Sequence, residues 1–264
     1  MPVTETKPAT TSAETGRTEV SGTRPPGTTD ERAAAAQVRQ MFTAIAPRYD
    51  LLNHLLSCNI DRVWWRRTAR VFGHILGRSG AQVLDLCCGT GDMTLALARE
   101  AKRQNGQPRI FGADFSHAML TRAFEKFARG KANAIEADAL ALPFASGGLD
   151  LVTSAFGFRN LANYDKGLAE IFRVLRPGGE VGILDFGEPS GMIGGVYRIY
   201  FRRVLPWVGT MISGVRGPYS YLPASVERFP APEQMLARLR AAGFTDVSWT
   251  PYTLGIAGLY RGKK

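Results

Sequence analysis

The sequence predicts an α/β fold: a doubly wound, Rossmann-like sheet, mostly parallel, with an antiparallel edge at its C-terminal end. Three observations predict it. Residues 83–93 read VLDLCCGTGDM, a run of strand character, a glycine turn and the start of a helical pattern. From residue 82 onward strand-like runs alternate with helical periodicity, the pattern of a parallel sheet covered on both faces. Acids then stand at successive strand ends (Asp85, Asp114, Asp138 and Asp185), where open α/β sheets hold their ligands.

Length and composition set the frame. A chain of 264 residues with 45% hydrophobic content accommodates one α/β domain, placed at 30–264, with a helical extension ahead of it. The formal charge of +10 points to an anionic partner, nucleic acid or an anionic membrane surface, or to solvated arginines; charge alone does not choose. The three cysteines (Cys58, Cys87, Cys88) form neither a disulfide framework nor a metal-ligand spacing, so no metal is expected. They read as small reduced residues, and with no secretory signal the expected location is cytoplasmic.

Residues 1–29 are rich in Thr, Pro, Gly and Glu with almost no large apolar side chain. They cannot bury enough surface to offset their ordering entropy and are expected to be disordered. Residues 30–80 form N-terminal helices. The first is capped by Asp30 and stopped by Pro47, and two more follow over 49–56 and 61–76. The third carries Trp64 and Trp65 among arginines, the stripe of a helix with one buried and one wet face.

The ligand-binding core spans 81–188. Its strands are expected at 83–87, 110–114, 133–136, 149–155 and 180–186, with helices over 92–103, 116–127 and 164–175 between them. Residues 176–179, Arg-Pro-Gly-Gly, make a turn. Residues 189–231 form a helical cover. Within it, 192–212 is apolar, but Arg198, Arg202 and Arg203 would each cost about 2.5–3.5 kcal/mol at a bilayer centre, so it does not span. It either covers a pocket, lies on a membrane surface or packs on the core. Residues 232–264 supply a last helix (233–242) and two strands (244–249 and 254–260) pairing as an antiparallel edge.

The glycine turn selects among ligands. A dinucleotide site needs a third glycine and rests its pyrophosphate on the helix N-terminus, where this chain has Asp92. Two like charges about 6 Å apart repel by roughly 3 kcal/mol at an effective dielectric near 20. A cofactor without phosphate fits better, and the cationic S-adenosylmethionine suits Asp85 and Asp92. Asp114 is placed to accept both ribose hydroxyls, and Asp138 with Ala139 to accept from an adenine amine. The plainer alternatives are glycines that only relieve crowding and acids that cap the next helix.

With these residues in place, 37–264 resembles the UbiE/MenG family of quinone C-methyltransferases. The resemblance is carried in order by FTAIAPRYDLLNHLLS, VLDLCCGTGDM, ALALPF, FGFRN, RVLRPGG, YSYLPASVERFP, AAGF and LYRGKK. It implies a class I S-adenosylmethionine-dependent methyltransferase fold and carbon methylation of a polyprenylated quinol, demethylmenaquinol or a methoxy-benzoquinol. It implies cofactor contacts at Thr90, Asp114, Asp138 and Ala139 and at the end of the fourth strand, where Ser154 stands; Asp85, Gly89 and Gly91 join them in the cofactor site on the reading of the glycine turn itself. The implied catalytic set is Arg159 and Asn160, orienting the acceptor oxygen, with Tyr49 closing the pocket; Arg159 equally suits a salt bridge tying its loop to the sheet. Asp50 and Asp185 are candidate proton acceptors, while His54, His74 and His117 stand away from the strand ends. The chain departs from the family pattern at Ala155 (usually Ser), at Cys87-Cys88 (usually a smaller pair) and at Tyr260 (usually His). The resemblance also implies peripheral contact with an anionic membrane at the inner face of the cell membrane, and pairing as a homodimer. A methyltransferase acting on RNA is the alternative that the charge suggests, but no binding module or basic arm is present, so no nucleic-acid partner is expected.

Overall fold

A computed structural model describes residues 21–50, 57, 59–127, 132–187, 189 and 218–264. Seven strands form one sheet in the order β3-β2-β1-β4-β5-β7-β6. In chain order they are β1 (Gln82–Leu86), β2 (Arg109–Asp114), β3 (Ala132–Glu136), β4 (Leu149–Ala155), β5 (Leu175–Phe186), β6 (Thr245–Tyr252) and β7 (Ala257–Lys263). The first five run parallel, and β7 pairs antiparallel with both β5 and β6. The order reverses at β1, whose neighbours are β2 and β4, and a crevice opens there at the carboxyl ends.

Eight helices are described: α1 (Glu31–Ile45), α2 (Ile60–Val71), α3 (Gly73–Leu76), α4 (Asp92–Arg103), α5 (His117–Phe127), α6 (Tyr164–Val174), α7 (Pro218–Arg228) and α8 (Pro232–Ala241). Alternation along β1 assigns the two layers. Val83 faces α2–α4 with Trp64, Phe72, Ile75 and Leu97. Leu84 and Leu86 face the opposite layer of α6 and α8, with Leu168, Ile171, Met235 and Leu239. α1 starts where expected: Asp30 accepts from the Ala33 amide at 2.8 Å, and a 3-10 turn at Ala46–Arg48 follows Ile45.

Several boundaries differ from expectation. The helix expected over 61–76 breaks at Phe72, whose φ of −98° and ψ of 15° leave the helical region and start α3 at a new angle. β5 begins at Leu175, because Arg176–Gly179 bulges out of a register that pairs Leu149 with Leu175 and Leu151 with Glu180. Residues 21–24, expected within a disordered lead, are placed against the fold: the Thr23 amide donates to the Leu161 carbonyl at 2.8 Å and the Tyr164 amide to the Ser21 carbonyl at 2.6 Å. Backbone pairing of this kind does not require large apolar side chains, the feature whose absence suggested disorder. The helix expected over 49–56 falls largely outside the described residues, as do the apolar stretch 192–212 and His54.

Candidate active site

β1 delivers its chain into a turn with three residues of positive φ: Cys87 at 55°, Gly89 at 56° and Gly91 at 87°. Gly89 borders a cavity of about 580 Å³, within the range typical of small-molecule sites. Gly91 does not line that cavity. A Cβ there would overlap the Phe127 ring, so this glycine lets α5 approach the turn.

Asp85 lies under the turn, fully buried, and accepts from Thr94 Oγ1 at 2.6 Å and Thr153 Oγ1 at 3.1 Å. Burial pushes its carboxyl up to about 7 against those hydrogen bonds. Asp114 ties β2 to the turn, its Oδ2 accepting from the Gly89 amide and its Oδ1 from the Ser116 amide, both at 2.9 Å. Burial raises this carboxyl to about 6. Each oxygen keeps a lone pair for a ligand hydroxyl. Asp138 is exposed on the rim, its Oδ1 accepting from the Leu140 amide at 2.9 Å, and Ala139 lines the wall beside it. Burial pushes the Cys87 and Cys88 thiols well up, consistent with inert packing groups.

Thr90 Oγ1 donates to Asp50 at 2.5 Å, and Lys126 reaches Asp50 at 2.7 Å, Asp92 at 3.1 Å and Thr90 Oγ1 at 3.2 Å. Lys126 lies behind the cavity residues Thr90 and Asp92, and sequence reasoning missed it because nothing in α5 marks one lysine from another. It offsets part of the Asp92 charge and occupies Asp50. Ser154 turns to the other face of β4. Alternation along β4 turns Thr153 and Ala155 toward the α2–α4 side, where Ala155 lines the cavity. The Ser154 hydroxyl is buried away from it and has no hydrogen-bond partner among the described residues.

The second half of the cavity lies at the ends of β4 and β5. A Cβ on Gly157 would overlap Cys87, so glycine there lets the loop after β4 close against the β1 turn. Arg159 follows on a 3-10 turn (Phe158–Asn160), almost fully buried. Its Nη1 donates to Asp185 at 2.9 Å and to the Phe156 carbonyl, and its guanidinium lies 5.0 Å from the Phe186 ring centroid. Arg159 therefore forms the salt bridge expected of a loop tie, and it also lines the cavity, with Nε unpartnered among the described residues. Asp185 does not line the cavity and accepts also from the amides of Arg159 and Phe186, so it anchors Arg159. Asn160 lines the wall, its Oδ1 accepting from Tyr221 at 3.0 Å.

Tyr49 lines the cavity opposite, edge-on to Phe42 at 6.1 Å. An aromatic wall completes the space: Trp64 packs 5.7 Å from Phe156, which stacks 4.5 Å from Phe186, and Trp64 Nε1 donates to Thr253 at 2.8 Å. His74 and His117 pair with Glu180 and Glu136 outside the cavity. Tyr260 is core, packed on Phe229 and Trp249.

A glycine cradle, buried acids and an aromatic wall at the sheet's switch point invite comparison with known proteins. The model of the ubiE/COQ5 methyltransferase family matches residues 29–264. The chain belongs to the ubiE/COQ5 methyltransferase family. The demethylmenaquinone methyltransferase of Thermus thermophilus is 49% identical over 85% of this chain and 100% of its own length. That of Deinococcus radiodurans is 45% identical over 91% and 98%. Among solved structures, a SAM-dependent methyltransferase from Aquifex aeolicus shares the fold with a TM-score of 0.53 and 17% identity, over 74% of this chain and 88% of that one.

Proposed function

We propose that the protein transfers a methyl group from S-adenosylmethionine to a ring carbon of a polyprenylated quinol, converting demethylmenaquinol to menaquinol. The observation that carries this is one cavity with two chemically distinct halves, acidic under the glycine turn and aromatic with a buried guanidinium beyond it. The names of the family and of both relatives support the quinone assignment.

The acidic half fits the cofactor. Asp114 would hold the ribose hydroxyls, Asp138 and Ala139 the adenine, and Asp85 with the turn at Gly89–Thr90 the cationic methionine end. Bound there, S-adenosylmethionine supplies an electrophilic methyl group. A model phenol ionises near pH 10, so a quinol hydroxyl needs help to make its neighbouring ring carbon nucleophilic. Arg159, fixed by Asp185, stabilises the negative charge developing on that oxygen. Arginine does not serve as the base, so the hydroxyl proton would pass to a water beside the guanidinium; once the ring carbon carries the methyl group, its own proton returns by way of water to the oxygen and the ring is aromatic again. Asn160 orients the oxygen, Tyr49 closes over the cofactor side, and Trp64, Phe156 and Phe186 exclude water from the ring.

Peripheral attachment to an anionic membrane accords with the +10 charge and an isoprenoid substrate. Among the described residues no helix is long and apolar enough to cross a membrane. Parallel assays with labelled S-adenosylmethionine and demethylmenaquinol, a methoxy-benzoquinol or RNA test the function, with label expected in menaquinol. Flotation with anionic, quinol-loaded vesicles tests attachment, and sedimentation tests pairing as a homodimer.

A further inference from the structure

Residues 21–24 precede the segment that the family model matches, yet they pack against Leu161 and Ala162, which line the acceptor side of the cavity. Their backbone pairs with residues 161–164, directly after Arg159 and Asn160: the Thr23 amide donates to Leu161 and the Tyr164 amide to Ser21. A Cβ on Gly22 would overlap the Ala162 carbonyl, so only glycine permits this approach. Arg24 donates to the Ala162 carbonyl at 2.8 Å, and Arg228 of α7 donates to the Arg24 carbonyl. Thr23 is 2% exposed. Its hydroxyl meets the Tyr221 hydroxyl at 2.8 Å, and Tyr221 reaches Asn160 Oδ1 at 3.0 Å.

The proton count sets the direction of this chain. Oδ1 carries no hydrogen, so Tyr221 spends its single proton there, and Thr23 must donate to Tyr221. Burial raises the Tyr221 phenol above its ordinary value, which keeps that proton in place. With Oδ1 occupied, the Asn160 amide is held with Nδ2 as its remaining donor.

We propose that Thr23 and Tyr221 are positioning residues: a strap at the N-terminal side of this chain fixes the Asn160 amide through a two-step hydrogen-bond relay and thereby sets affinity for the quinol acceptor. The proposal rests on the function given above. It makes the strap a determinant of acceptor affinity lying outside the segment matched by the family model.

The test is steady-state kinetics on the full chain with demethylmenaquinol. Thr23→Val keeps the backbone pairing and removes the donor; it is expected to raise the acceptor KM by about five- to tenfold, the size of one net hydrogen bond. The kcat and the calorimetric Kd for S-adenosylmethionine should stay within about twofold, and Thr23→Ser should restore KM. Tyr221→Phe should raise KM at least as much, and adding Thr23→Val to it should change nothing further. Gly22→Ala, which displaces the strap through its backbone, should reproduce the Thr23→Val effect. An unchanged KM in Thr23→Val overturns the proposal. So does a full Thr23→Val effect on top of Tyr221→Phe, or a parallel loss of cofactor affinity and thermal midpoint. If the wild-type chain methylates no quinol, the functional reading fails and the relay falls with it, a result visible without any variant.

Discussion

The half of the cavity under β1–β3 and the half under β4–β5 differ in where their parts come from. In the first, Asp85 is held by Thr94 and Thr153, Asp114 by Gly89 and Ser116, and Asp138 by Leu140, with no partner more than 68 residues away. In the second, Arg159 depends on Asp185, Asn160 on Tyr221, Tyr221 on Thr23, and Trp64 on Thr253, the last two across 198 and 189 residues. A group recognised mainly by backbone and acids can be served by one local strand–turn–helix pattern. A hydrophobic acceptor with one reacting oxygen needs side chains from many segments, and this chain recruits them from both ends.

The sharpest way to break that contrast is at Arg159. Arg159→Ala should lower methyl transfer by at least about a hundredfold if the guanidinium stabilises the developing charge, a loss of roughly 3–4 kcal/mol. It should also cost about 3–5 kcal/mol of stability, because buried Asp185 keeps its two amide donors but loses its counter-ion. Pairing Arg159→Met with Asp185→Asn should recover much of the denaturant midpoint without recovering turnover. Recovery of turnover would reduce Arg159 to a strut.

On the other half, Asp114→Asn should weaken S-adenosylmethionine binding by about 10- to 100-fold, the loss of charge-assisted hydrogen bonds, with little change in the acceptor KM. Calorimetry reads the first and kinetics the second. If both substrates suffer equally, the halves are not independent.

A third prediction concerns pH. Asp85 at about 7 and Asp114 at about 6 sit above their unfolded values near 3.9. The unliganded native state therefore binds more protons than the unfolded chain between about pH 4 and 7, and its stability should fall as pH rises through that window. Binding of a cation favours the ionised acids, so affinity for S-adenosylmethionine should rise over the same range, with protons released on binding. Asp85→Asn should flatten the upper part of both curves. A flat binding profile in the wild type would contradict this charge pairing.

The smallest effect is expected at Ser154→Ala. Its hydroxyl is buried, unpartnered among the described residues and turned from the cavity, so activity should stay within about twofold and stability should hold or improve slightly. A marked loss of cofactor affinity would return Ser154 to the site.

The same contrast explains what the sequence discloses. Strand-end acids and the glycine turn are signals of short range, and Asp85, Gly89, Thr90, Asp114, Asp138 and Ala139 all border the cavity as expected. For Gly91 and Ser154 a motif gives spacing but not the face a residue turns to; Phe127 and strand alternation set that. Arg159, Asn160 and Tyr49 are legible only through family resemblance. Lys126, Tyr221 and Thr23 carry no local mark of their positions, since each is placed by a partner far along the chain or on another element. The strap was hidden for a related reason: composition reports the apolar area a segment can bury, whereas residues 21–24 are held by backbone hydrogen bonds and a missing Cβ.

The insertion of β7 between β5 and β6 bears on how the molecule is made. On the ribosome, β6 emerges with no neighbour to join, and the outer edge of β5 stays open until residues 257–263 arrive. A nascent chain thus carries an unsatisfied sheet border from the completion of β5 until β7 emerges, the kind of surface that invites aggregation and chaperone capture. Substitutions that weaken β7 should therefore lower the yield of folded protein before they alter the finished enzyme.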